Sequence, residues 1–347
     1  MIGVCVVGAG FWAREMHLPA LARIPGVKIT GVVATSEESA KSAAAPYGAR
    51  AFTDLEQAVA DPGVDVVDIV APPDVHLPAV LAAAANGKHA ICIKPLARNL
   101  EEADAMLAAV EAAGTRLFYA ENVPFIPAVQ EAKRLVDAGH IGEVFRVKAC
   151  EGIGAPHSEW FFDPERSGGG AMLDMAVHSL EFCRFFAGAP VQGVYADAGT
   201  FVWGERTTAE DTAVLTLRFA NGVLGQCEDS WSLPGAMDSR FEVFGTAGRI
   251  LIDNLHRQPL QVVSATGSPV GGAGWSFPLP VPGLLADGHL DMLTHFADCV
   301  RTGRPSVSEG RVGRDVLAVV DAAARSLASG RRETVRSNIR TNQGEIS

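Results

Sequence analysis

The sequence predicts a two-domain α/β protein: an open parallel sheet first, then an α/β unit built on a largely antiparallel open sheet. Three observations carry this. Up to about residue 121, short β-branched runs alternate with alanine-rich stretches, the pattern of βα units. A glycine-rich turn follows the first run. Beyond residue 122 the runs alternate apolar with polar residues and are joined by hairpin signals. A length of 347 residues suits two domains at roughly 150 residues each, and the change of pattern places them at 1–122 and 123–347.

Five strands are expected in the first domain: Ile2–Val7, Val27–Ala34, Val64–Ala71, Lys88–Ile93 and Arg116–Ala120. They read as apolar runs because a parallel sheet is covered on both faces. Between them, Asn86-Gly87 closes a helix with a residue tolerant of positive φ, and Asn99 with Glu101 and Glu102 opens the next with a cap and dipole-matched charges.

In the second domain a helix is expected near 127–138 and a strand near 144–150, then an irregular stretch through His157, Trp160 and Gly168-Gly169-Gly170. A helix over 171–186 follows, then strands at 191–202, 212–219 and 223–231, the last two joined by Asn221-Gly222, a tight-hairpin signal. Strands at 240–244 and 249–252 and helices at 289–301 and 312–329 complete it, and the polar stretch 331–347 is expected to fray.

The first strand runs into Gly8-Ala9-Gly10-Phe11-Trp12-Ala13, a Gly-x-Gly-x-x-Ala pattern between strand and helix. Gly8 permits the turn, Gly10 lets the backbone approach a pyrophosphate, and Ala13 permits close helix packing, which makes the first domain a Rossmann NAD(P)-binding domain. Phe11 and Trp12 fall within the same contact. The second strand leads to Ser36-Glu37-Glu38, where carboxylates suit a ribose diol and no adjacent arginine suits a 2′-phosphate. The cofactor is NAD or NADP, with NAD favoured. Pro72 and His76, after the third strand, are further expected cofactor contacts.

Lys94 ends the fourth strand, at the edge where an open parallel sheet binds its ligands. Asp174 and His178 are four residues apart, so on a continuous helix they share a face and the carboxylate orients the imidazole. An imidazole titrating near 6.5 suits moving a hydroxyl proton.

Taken together these residues resemble the Gfo/Idh/MocA oxidoreductases. The likeness rests on Gly8-Ala9-Gly10, Pro73-Asp74-Val75-His76, Gly87-Lys88-His89 leading to Lys94-Pro95, Pro127 through Gly139-His140-Ile141-Gly142, and the Gly-rich entry to Asp174 and His178. The resemblance implies hydride transfer between NAD(P) and a secondary hydroxyl or ketone of a sugar, cyclitol or glycoside, with Lys94, Asp174 and His178 catalytic. It puts Glu121, Asn122, His157 and Trp160 beside the substrate together with those three. It also leaves open an NAD-using glycosidase or a non-catalytic dinucleotide sensor. Two departures stand out: Ile93 replaces the usual glutamate before the lysine, and Pro124-Phe125 stands where many members have Arg-Phe, which implies that the arginine's hold on the substrate is missing here.

With 29 basic against 40 acidic residues the formal charge is -11, which disfavours nucleic acid. No basic leader or ~18-residue apolar run is visible, so a cytoplasmic protein without membrane contact is expected. The six cysteines stand singly, and His17, His140, His256, His289 and His295 show no ligand spacing, so no metal is assigned. A homodimer or homotetramer through the C-terminal sheet is expected, because one sheet face needs cover.

Overall fold

The computed structural model describes residues 1–265, 267, 274–276 and 288–336. Its N-terminal sheet contains β1 (Ile2–Val7), β2 (Val27–Val33), β3 (Arg50–Phe52), β4 (Val66–Ile69), β5 (His89–Ile93) and β6 (Leu117–Ala120) in the order β3-β2-β1-β4-β5-β6. Every neighbouring pair is parallel. The order reverses between β1 and β4, which opens a ligand crevice beyond the carboxyl ends of those strands.

All six residues of β1 are buried. Val4 and Val6 pack into one cluster with Leu18, Leu21 and Phe296, while Cys5 and Val7 join Val59 and Val80 in another. Successive side chains point to opposite faces, so the continuous apolar run follows from cover on both sides. β3 is a sixth strand where five were expected. It is a three-residue edge strand with Arg50 and Ala51 exposed, too short for a period-2 pattern to register.

The second sheet is formed by β7 (Val144–Ile153), β8 (Val191–Gly199), β9 (Thr212–Phe219), β10 (Leu224–Ser230), β11 (Met237–Gly245), β12 (Gly248–Asp253), β13 (Leu260–Ser264), β14 (Gly274–Ser276) and β15 (Glu333–Thr334). Among the described residues the order is β14-β13-β12-β11-β7-β10-β9-β8-β15. The β7–β10 pair is parallel and the others are antiparallel. β9 and β10 form the expected hairpin, with Gly222 at φ 87°.

Along β9, Ala213, Leu215, Leu217 and Phe219 are buried in strict alternation. That face packs on helices Pro127–Asp137, Ala176–Ala187 and Gly310–Ser329 through Val129, Leu135, Leu180 and Val319. On the strands, Phe145, Tyr195, Val214, Leu224 and Met237 remain exposed.

The stretch expected to fray from 331 holds a strand instead. Glu333 pairs with Val194, Arg325 donates to Glu333 at 3.1 Å, and Val335 is buried; residues 337–347 lie outside the described ones. Helices His289–Thr302 and Gly310–Ser329 also reach the first sheet. Phe296 stacks on Phe118 at 5.0 Å, and the Tyr119 amide donates to the Ser308 carbonyl at 2.9 Å. The two sheets are thereby tied together around the crevice. No helix among the described residues is long and apolar enough to cross a membrane.

Candidate active site

The glycine turn sits at the end of β1. Gly8 has φ 117°, and a Cβ there would lie 2.0 Å from the Val70 carbonyl oxygen, so the turn tolerates only glycine. A Cβ on Gly10 would meet nothing within 4 Å. The backbone is open on that side, as a dinucleotide pyrophosphate requires. Ala13 is fully buried, while Phe11 is exposed. Trp12 donates its indole N–H to His157 Nε2 at 3.1 Å and stacks on His289. These residues fit a dinucleotide.

The surroundings of the β2 terminus differ from the expectation. Ser36 caps helix Glu37–Ala44, accepting from the Ser39 amide at 3.2 Å. Glu37 is paired with Lys41 at 2.6 Å on the surface. An arginine does stand nearby: Arg14 donates to the Ser39 carbonyl at 3.0 Å. It comes from the first helical segment, so no reading of neighbours in sequence finds it.

Pro72 is half-buried after β4. His76, expected to touch the cofactor, is fully buried, with Nε2 2.8 Å from the Ala71 carbonyl and Nδ1 3.2 Å from that of Leu96. It ties together the loops following β4 and β5 instead. Burial pushes its imidazole below the usual histidine range.

Lys94 extends from the end of β5. Its Nζ donates to Asp174 Oδ1 at 2.6 Å and to the Asp174 carbonyl at 2.8 Å. Trp231 Nε1 donates to Asp174 Oδ2 at 2.8 Å. Burial opposes charge on Asp174, but Lys94, Trp231 and His178 outweigh it and hold the carboxyl below the usual aspartate range. Ile93, in place of the resembling family's glutamate, is buried in the apolar cluster beneath, so the lysine takes its orientation from Asp174.

The expected continuous helix over 171–186 is broken at Met175, giving Ala171–Asp174 and Ala176–Ala187. The His178 amide donates to the Met175 carbonyl at 3.0 Å, so the Asp174 carbonyl is left for Lys94. The break also ends the expected pairing of Asp174 with His178. His178 Nδ1 lies 2.8 Å from Glu121 Oε1 instead. Glu121 is fully buried just beyond β6, and the same oxygen accepts from the Val123 amide at 3.0 Å. The Glu121 oxygen that accepts from the Val123 amide is thus also the acceptor for an Nδ1 hydrogen, which leaves Nε2 as the basic nitrogen.

The geometry is therefore two buried carboxylates, each holding one functional nitrogen. Lys94 and His178 are each 16% exposed, enough to reach a ligand. Sequence reasoning missed Trp231 and missed Glu121 as the partner of His178. A tryptophan closing a strand beside polar loops was the available signal, since a buried indole N–H seeks an acceptor.

Among the other expected substrate contacts, Asn122 is half-buried beside Glu121 and His157 is exposed. Trp160 stacks on Phe161 at 3.7 Å, within a small cluster that includes Trp231. Among the described residues no group of three His, Cys, Asp or Glu is arranged to hold a metal ion.

A doubly wound sheet with an open glycine turn, beside a lysine and an imidazole held by carboxylates, defines a nicotinamide-dependent oxidoreductase. Residues 2–121 match the oxidoreductase family with an NAD-binding Rossmann fold, and residues 129–251 match the GFO/IDH/MocA C-terminal domain. The chain belongs to the GFO/IDH/MocA oxidoreductase family. It is 32% identical to myo-inositol 2-dehydrogenase of Thermotoga maritima over 81% of this chain and 83% of that protein. Identity to scyllo-inositol 2-dehydrogenase (NAD(+)) of Bacillus subtilis is 31%, covering 88% of each. A levoglucosan dehydrogenase solved with NADH and levoglucosan superposes with a TM-score of 0.86 at 27% identity, over 97% of this chain and 100% of that one.

Proposed function

We propose that this enzyme oxidises a secondary hydroxyl of a sugar, cyclitol or glycoside to the ketone, and catalyses the reverse. Residues 1–122 form the dinucleotide-binding domain and 123–347 the substrate-binding and oligomerisation domain, with Lys94, Glu121 and Asn122 reaching the crevice from the first. The bound nicotinamide supplies the hydride acceptor. The observation that carries the reading is the pairing of Lys94 with Asp174 and of His178 with Glu121 beside the glycine turn.

His178 Nε2 accepts the hydroxyl proton while Glu121 stabilises the imidazolium that forms. Lys94 donates a hydrogen bond to the substrate oxygen as negative charge develops on it. Asp174, itself held by Trp231, keeps the ammonium in place. Asn122, His157 and Trp160 border the substrate, Trp160 offering an aromatic face to a sugar ring. The exposed apolar residues of the second sheet cover one another in a homodimer or homotetramer.

The test is a panel of inositols, free sugars, sugar phosphates and glycosides with NAD and NADP, followed by nicotinamide absorbance. Turnover is expected on a polyol or sugar, and His178→Ala should lower kcat by roughly 10²–10⁴-fold without altering cofactor affinity. Glycoside cleavage with no net nicotinamide change, or full activity in His178→Ala, would refute the assignment.

A further inference from the structure

We infer that Arg14 is the residue by which this chain accepts a 2′-phosphorylated adenosine ribose, so that NADP(H) binds alongside NAD(H). The inference rests on the dinucleotide reading above and concerns the adenosine end of that site. In a doubly wound sheet, a carboxylate after the second strand grips the ribose 2′-hydroxyl, whereas an arginine nearby accommodates a 2′-phosphate.

Here β1 and β2 are neighbours, Val7 opposite Val33, and the Gly8 amide donates to the Val33 carbonyl at 2.9 Å. The glycine turn and the start of helix Glu37–Ala44 therefore lie side by side. Arg14 spans them. Its Nε donates to the Ala9 carbonyl at 2.8 Å, Nη2 to the Ser39 carbonyl at 3.0 Å, and Nη1 to Ser42 Oγ at 3.3 Å.

All of these acceptors are neutral. Among the described residues Arg14 has no carboxylate partner within ion-pairing distance, unlike Arg50, Arg98 and Arg116, which are all paired. A guanidinium fixed at both ends and left without a counter-charge is pre-organised for a phosphate, which its fork geometry matches. The Ser39 and Ser42 hydroxyls lie 3.4 and 3.3 Å from its Nη atoms, and Ser36, which caps the same helix, offers a further hydroxyl.

The carboxylates work in the other direction. Glu37 and Glu38 occupy the first turn of that helix and oppose a second phosphate charge, although Glu37 is partly neutralised by Lys41. A preference within tenfold either way follows, in place of exclusive use of one cofactor.

Fluorescence titration of NADH and NADPH on the wild type and on Arg14→Met tests this, methionine retaining the aliphatic stem. The variant should bind NADPH at least tenfold more weakly and NADH within threefold of the wild type. Equal loss of both, or no loss of NADPH, overturns the inference.

Because the substitution also removes the strut between turn and helix, a second measurement uses the unaltered protein. Adenosine 2′,5′-bisphosphate should displace NADH more tightly than 5′-AMP, and its advantage should shrink with added salt. An equal or weaker bisphosphate overturns the inference alone. Failure of NADH and ADP-ribose to bind at all would overturn the dinucleotide site with it.

Discussion

Glu121→Gln isolates the charge behind the catalytic imidazole. The amide is nearly isosteric, and its oxygen can still accept from the Val123 amide and from His178 Nδ1, which the carboxylate holds at 3.0 and 2.8 Å. Only the negative charge is removed. With the charge centres about 4 Å apart and an effective dielectric near 20, the attraction to an imidazolium is ~4 kcal/mol. The neutral hydrogen bond that remains offsets about 1 kcal/mol of that loss. The transition state, in which His178 carries the proton, should lose about 2–3 kcal/mol, and kcat should fall roughly 30- to 150-fold. Steady-state kinetics on the best polyol of the panel measure it, with NADH titration and thermal melting as controls for binding and folding. A kcat within threefold of wild type, in a variant that melts normally, would refute the claim that Glu121 supports the base.

Three further outcomes are expected. Gly8→Ala should destabilise the fold, because its Cβ meets the Val70 carbonyl at 2.0 Å, whereas Gly10→Ala should melt like wild type yet bind NADH more weakly; equal melting of the two variants counts against this. Trp231→Phe should cost about 1–3 kcal/mol in denaturant unfolding, since the buried Asp174 Oδ2 loses a donor, and NADH affinity should not change. Burial pushes the Glu151 carboxyl well above the usual range, so the folded chain holds a proton there that the unfolded chain releases above about pH 4.3. Stability from this group is full below that pH and is lost as pH rises through the folded value. The melting-temperature advantage of Glu151→Gln should therefore grow between pH 5 and pH 8, and a constant difference would contradict it.

Much of the architecture was written locally in the chain. The alternating runs of the first domain, the Asn99 cap, whose side chain accepts from the Glu102 amide at 2.9 Å, and the Asn221-Gly222 hairpin depend on residues a few positions apart. Periodicity and turn chemistry read such features directly. The glycine turn was legible for the same reason, and so was the placement of Lys94, because the end of a parallel strand is where ligands bind. Short elements without a period were not: β3 and β15 are two or three residues long and exist because a neighbouring strand offers them a ladder.

Which group serves which was decided in three dimensions. Sequence spacing paired Asp174 with His178, but the break at Met175 gave Asp174 to Lys94, 80 positions away, and Glu121 to His178, 57 positions away. Arg14 likewise reaches Ser39, 25 positions on, through the pairing of β1 with β2. Hydrogen bonds and ion pairs act over about 3 Å, and chain distance sets that separation only within a turn or two of regular structure. The order of residues along the chain therefore dictated the elements and the residue types brought to the crevice. The packing of the two sheets chose the partners, because it alone brings distant segments within bonding range.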